Sequence, residues 1–177
     1  MADASAAREV KRQQDKARYQ RIRAKRIAMC EPCPVAKLTE IECAYIAGLI
    51  DGEGSLFIAK HAGGLHPAIS ISMTSRDVLA WLGDLLGAAL CQVERKNDGW
   101  RDQFSVRIHG QKAVNLATRM VPYLRVKREQ AILFAQFPGD QRIAPGCRIA
   151  SAVLIKRAEL RERINGLNAR GKVNTHA

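Results

Sequence analysis

The chain is short of aromatic residues, short of acids relative to bases, and has no long apolar run. Aromatics make up 5% of its 177 residues, which leaves little with which to stack the bases of single-stranded nucleic acid. No apolar stretch approaches the roughly 20 residues a membrane helix needs, and no signal-peptide core follows the N-terminus. The expected location is intracellular, cytoplasmic or, for an organelle gene, organellar, and not secreted. Asp3, Glu9 and Asp15 interrupt the Arg- and Ala-rich start and argue against a transit peptide. The five cysteines, at 30, 33, 43, 91 and 147, are odd in number and irregular in spacing, unlike an extracellular disulfide framework. Cys30 and Cys33 offer half of a zinc-ribbon spacing, with no second pair or close histidine to complete four ligands, so incidental thiols in a linker are the preferred reading. No internal repeat is visible.

Positive charge is what the chain has in excess. Lys and Arg number 29 against 17 Asp and Glu, a formal charge of +12. A polyanion is the natural partner, and nucleic acid is favoured over a membrane, because neutralising phosphates releases counterions. A hydrophobic content of 47% suffices for one compact domain with appendages. From Arg8 to Arg26 nine bases stand against two acids with few large apolar residues, which reads as an exposed basic helix or arm. Prolines 32 and 34 then mark a linker. The expected organisation is a basic arm and linker over residues 1–37, a core over 38–138, and a basic C-terminal helix and tail over 139–177.

The most informative stretch runs from Ala44 to Gly54. A helix from about Thr39 to Ile50 is expected to end at Asp51, with Gly52 and Gly54 giving freedom for a tight helix-to-strand turn and Glu53 at its tip. Ala44, Ala47 and Gly48 are expected to form a small-residue face on which two such helices could cross closely. That crossing would bring two Glu53 carboxylates together, an arrangement that invites a divalent cation.

Beyond the turn, Ser55–His61 reads as a strand, and Gly63-Gly64 separates it from a second strand over Ala68–Thr74. There Ile69, Ile71 and Met73 alternate with Ser70, Ser72 and Thr74, the period of a sheet with one covered and one wet face. A helix through Val78–Leu86, a strand over Leu90–Lys96, a turn at Asn97-Asp98-Gly99 and a fourth strand over Gln103–His109 follow. Helices at Gln111–Val121 and Arg125–Gln136 complete an αββαββα order, and an Arg-rich helix over Arg148–Asn165 follows Pro145-Gly146.

The segment Ile46-Ala47-Gly48-Leu49-Ile50-Asp51-Gly52-Glu53-Gly54 resembles the signature of the LAGLIDADG homing endonucleases. A second block, Pro122-Tyr123-Leu124-Arg125-Val126-Lys127-Arg128-Glu129-Gln130, is similar to that family's Pro-aromatic-Leu segment with its lysine and downstream glutamine. The resemblance covers about Thr39–Pro138 and implies an α+β core, a four-stranded antiparallel DNA-binding sheet backed by helices, plus the basic N-terminal arm and C-terminal helix. It implies that Glu53 and the Gly52 carbonyl hold Mg²⁺ or another divalent cation, and that Lys127 stands near the cleaved phosphate. Ser75 and Arg76 fall where the family places a Gln or other polar residue that organises water, and Ser75 departs from the commoner Gln. Asp51, Gly48 and Gly54 belong to the motif and its turn, with Asp51 expected to cap backbone N–H groups. On the wet sheet face, alternation selects Ser55, His61, Ser70, Ser72, Lys96, Gln103, Ser105, Arg107 and His109 as readers of base edges.

One signature implies one half-site per subunit, hence a homodimer through the signature helix cutting a near-palindromic duplex. An intron-borne or free-standing source fits better than an intein. The alternative is a noncatalytic binder of the same fold, either a DNA-binding regulator or an intron maturase, which would take RNA.

Overall fold

The computed structural model describes residues 9–15, 17–18, 20–21, 33–61, 64–93, 101–139 and 149–169. Within the arm, the described residues from 9 to 21 are helical and exposed on all sides. The chain then passes through a short 3-10 turn, Pro34–Lys37, into helix α1, Glu40–Glu53. Thr39 starts α1 with a capping box: its Oγ1 accepts from the Glu42 N–H at 3.2 Å, and Glu42 Oε2 accepts from the Thr39 N–H at 2.7 Å.

Strands β1 (Gly54–His61), β2 (Gly64–Met73), β3 (Leu90–Val93) and β4 (Gln103–His109) form one antiparallel sheet in the order β1-β2-β4-β3. Between β2 and β3 lies α2, Arg76–Leu86; after β4 come α3, Gly110–Met120, and α4, Arg128–Ala135; and α5 is Ser151–Ala169. The architecture is α+β in the expected αββαββα order, followed by two further helices, α4 and α5. Leu56, Ile58, Ile69, Ile71, Val106 and Ile108 point to one side of the sheet and join buried residues of every helix from α1 to α5 in a single core. Among the described residues no helix packs over the other side of the sheet, where Ala68 and Ser105 are nonetheless buried.

Several elements differ from their sequence-based limits. Helix α1 continues through Gly52 to Glu53 and passes directly into β1, with Gly54 at φ −90° and ψ 162°, so no left-handed residue makes the turn. Gly54 is required by closeness instead: a Cβ there would lie 2.6 Å from the Ile50 Cα and 2.8 Å from its carbonyl oxygen. Ala47 is not part of an exposed small-residue face. It is fully buried with Cys43, Ile46 and Ile50, because the helical rotation of about 100° per residue carries it to the core side while Ala44 and Gly48 stay outside.

Strand β2 begins four residues early, at Gly64. Pro67 is tolerated within it because the ladder to β4 starts only at Ala68, so the missing N–H interrupts nothing on that side. The described part of β3 stops at Val93; Lys96 and the Asn97-Asp98-Gly99 turn lie outside the described residues, as do Cys30, Cys147 and Pro145-Gly146. Helix α4 starts at Arg128, leaving Arg125–Lys127 as a loop.

Two polar clamps fix the periphery. Arg119 of α3 donates to the carbonyls of Val35, Ala36 and Leu38 at 2.6–2.9 Å, tying the entry segment to the core. On the other flank, α5 buries Leu160 and Ile164 in the core, while Arg161 and Asn168 donate to the Ile58 and Leu56 carbonyls of β1 at 3.3 and 3.1 Å. Since β1 is an edge strand, α5 covers groups that would otherwise template pairing with another chain.

Candidate functional site

The C-terminal end of α1 gathers most of the chemistry. Asp51 Oδ2 accepts from the N–H groups of Arg125 and Val126 at 2.7 and 3.2 Å, and its Oδ1 accepts from the Lys127 N–H at 2.8 Å. These donors precede the first turn of α4, so a carboxylate from a remote helix pins the loop that leads into it. Partial burial opposes the charge on Asp51, but the three N–H donors, from Arg125, Lys127 and Val126, and the Lys127 ammonium outweigh it and hold the carboxyl below its usual 3.8. The Lys127 ammonium donates to the Asp51 carbonyl oxygen at 2.5 Å. That carbonyl lies in the last turn of α1, where helix carbonyls lack intrahelical partners and carry partial negative charge.

Glu53, the last residue of α1, is exposed and forms no ion pair among the described residues. The β1–β2 register pairs Gly54 with Ile71, and β2 ends two residues later, so exposed Ser75 and Arg76 sit at the same end of the sheet as Glu53. Ser75 holds the N-cap position of α2 but makes no side-chain cap bond. Glu53, Gly52, Lys127, Ser75 and Arg76 are thus collected at one end of the fold from three separate parts of the sequence.

The Glu53 carboxylate and the Gly52 carbonyl are hard oxygen donors of the kind that suit Mg²⁺ or Ca²⁺. No group of three or more His, Cys, Asp or Glu residues with metal-binding geometry occurs among the described residues. The donor set therefore fits a divalent cation as a partial shell, to be completed by oxygens from outside this chain.

Beyond this end, the uncovered sheet face is ordered into rows by the register. Ser55, Ser70 and Arg107 form one row, Ser72, Ser105 and Cys91 another, and Phe57, Ala68 and His109 a third; Gln103 stands opposite Val93. Ser105 is 5% exposed and offers little surface, whereas Ser55, Arg107 and His109 are exposed. No acid occupies an outward position among the described strand residues.

His66 is the residue that sequence reasoning missed. It lies on this face opposite Ala59, with its ring 6.2 Å from that of His61. Counting back by twos from Ser70 would have found it, but the second strand was expected to begin only at Ala68.

The outer side of α1 carries Ile41, Ala44, Tyr45, Gly48 and Gly52. Ile41 is 83% exposed and Tyr45 50%. Tyr45 meets Trp81 of α2 edge-to-face at 5.5 Å, and the two line an open groove of about 490 Å³ with Ile41 and Val78, rimmed by Glu42 and Asp77. A helix apolar on both its inner and outer sides is expected to be covered on both.

The arrangement is an α+β protein with the LAGLIDADG homing endonuclease fold. The homing endonuclease I-CvuI, in complex with the I-CreI target in the presence of Mg and with its DNA not cleaved, shares the fold at a TM-score of 0.55 and 20% identity, over 78% of this chain and 87% of its own. I-CvuI with its own target in the presence of Ca gives 0.54 and 21% identity, over 72% and 82%. The archaeal intron-encoded homing endonuclease I-Vdi141I, complexed with DNA, gives 0.54 and 18%, over 72% and 84%. No family model matches the sequence, and no curated protein sequence matches it.

Proposed function

We propose that the chain is a site-specific double-strand DNA endonuclease that hydrolyses phosphodiester bonds with a divalent cation, acting as a homodimer on a near-palindromic target. The carrying observation is the clasp between Asp51 and the Arg125–Lys127 loop, which holds a lysine ammonium at the same helix end as the exposed Glu53 carboxylate. Glu53 and the Gly52 carbonyl would hold the cation, Mg²⁺ or a similar ion. When bound, that cation supplies Lewis acidity at the phosphate and lowers the pKa of water.

Lys127 sets a positive charge beside the developing negative charge of the phosphate. Ser75 and Arg76 offer a hydroxyl and a guanidinium for orienting water and phosphate. The sheet face, free of acids among its described strand residues, lies against the duplex, with Ser55, Ser70, Ser72, Gln103, Arg107, His61 and His109 facing base edges and phosphates, and Lys96 and Ser105 completing the set read from alternation. The outer side of α1 packs on a second copy, bringing two Glu53 residues to one axis, and the Tyr45–Trp81 groove continues that surface. The fold relatives, solved as homing endonucleases with DNA, support this reading.

The test is selection of cleaved sites from a randomised duplex library with Mg²⁺, run beside Glu53→Gln and an EDTA control. One near-palindromic site cut only by the parent chain with metal is the expected result. Enrichment of a site that no divalent metal causes to be cut would replace the nuclease with a noncatalytic DNA binder, and RNA binding without duplex cleavage would replace it with a maturase.

A further inference from the structure

Three of the four histidines of the chain stand at one end of the uncovered sheet face. His66 lies between the other two: its ring is 6.2 Å from that of His61, and His109 pairs with Ala68, one outward position further along β2. Diagonal neighbours of this kind are about 7–8 Å apart in antiparallel sheets. This end is remote from Glu53, because β1 runs from Gly54 to His61 and its seven rises span about 23 Å. On a duplex lying along the face, that is roughly seven base pairs from the cleavage centre.

We propose that His61, His66 and His109 form one DNA contact at the outer end of the half-site, and that this contact takes up a proton when duplex DNA binds. The inference rests on the docking of DNA against the sheet face given above. A neutral imidazole offers one donor and one acceptor, whereas a protonated one offers two donors and a charge, which suit phosphate oxygens and the acceptor edge of guanine.

Among the described strand residues, the charged group on the same side of the sheet as the trio is the Arg107 cation. Arg107 is two residues from His109 on β4, while Lys60, next to His61 on β1, alternates to the opposite side of the sheet, and Arg157 of α5 is buried against the carbonyls of Pro138 and Gly139. At the β1 edge stand Arg161 and Glu162 of α5, which pair with each other at 3.4 Å. Gln111, at the start of α3, follows His109 by two residues and does not titrate. Phosphates approaching an imidazole favour its protonated, charged form.

The experiment measures affinity in Ca²⁺ at constant ionic strength between pH 6 and pH 8, using random-sequence duplex DNA and the best duplex recovered from it by binding selection. The wild-type chain is compared with His66→Gln and with the triple variant His61→Gln/His66→Gln/His109→Gln, each shown to be folded by its urea unfolding midpoint. Wild-type affinity for the selected duplex is expected to rise about three- to tenfold from pH 8 to pH 6, since each proton taken up can contribute up to about tenfold per pH unit. The triple variant is expected to lose that slope and His66→Gln to lose part of it. Calorimetry in two buffers of different ionisation enthalpy reads the proton uptake directly. A selected duplex bound equally at both pH values, or a triple variant with the wild-type slope, overturns the inference while leaving DNA recognition by the sheet intact. No duplex binding by the wild-type chain overturns both.

Discussion

Asp51 and Lys127 bind each other twice: the Lys127 N–H donates to the Asp51 carboxylate at 2.8 Å, and the Lys127 ammonium donates to the Asp51 carbonyl at 2.5 Å. The pair joins the end of α1 to the start of α4 across 76 residues of sequence. Asp51 is therefore a positioning residue, acting on the site through the loop it holds.

Replacing Asp51 with Ala removes the acceptor of three N–H groups near the start of a helix. The expected cost is about 1–2 kcal/mol, the range of a lost N-cap, read from the urea midpoint. If the loop carries Lys127 to the phosphate, cleavage falls further than stability does. A variant that is destabilised but cuts at the parent rate under folding conditions would remove Lys127 placement from the mechanism.

The same carboxylate sets an acid limit. Its folded pKa lies below the usual 3.8, so its contribution is complete above 3.8 and is lost as pH falls through the lower folded value. The stability difference between wild type and Asp51→Asn should thus be constant from neutral pH to about 4 and close only below 3.8. A difference that closes already between pH 7 and pH 5 would show that some other group governs it.

Much of this site could be read from the sequence because its parts are local: the α1 residues, the serines alternating on β2, and the polar alternation of β4. What could not be read depends on distant partners. That Asp51 caps backbone was expected from its type, but which backbone was set by packing 74–76 residues away. Ala47 was misplaced because neighbouring positions of a small-residue run fall on opposite sides of the boundary between core and surface. Likewise α5 reads as an Arg-rich helix whose sequence leaves open whether it closes the core; Arg157 is 4% exposed, donating to the carbonyls of Pro138 and Gly139 while its guanidinium lies 5.0 Å from the Phe137 ring. A buried guanidinium with all its work done by loop carbonyls leaves no periodic trace.

Helix α5 should accordingly be needed for the fold. Ile164→Ala is expected to cost about 2–5 kcal/mol, because the side chain is fully buried. Leu154→Ala, at a position 45% exposed on the same helix, should stay within about 0.5 kcal/mol of wild type. Equal urea midpoints for the two variants would mean that α5 is not docked in solution.

Glu53→Gln should leave stability unchanged, since the side chain is exposed and unpaired among the described residues. Duplex cleavage should fall by about a hundredfold or more, as for loss of a group that stabilises the transition state, while binding to the selected duplex persists. Loss of binding together with cleavage would instead make Glu53 part of the DNA-holding surface.

Two glycines of the signature separate the requirements of folding from those of pairing. At Gly54 a methyl group would meet the Ile50 backbone at 2.6 Å, so Gly54→Ala must push α1 away from β1, at about 1–3 kcal/mol. At Gly48 nothing lies within 4 Å of an added Cβ, and within a single chain the substitution gains up to about 1 kcal/mol of helix propensity. If a second copy packs on this face, the methyl group enters the space its backbone needs. Gly48→Ala should then weaken self-association in sedimentation velocity while holding or raising the unfolding midpoint at low protein concentration. An unchanged association constant for Gly48→Ala would move the dimer contact off α1 and with it the pairing of the two Glu53 carboxylates.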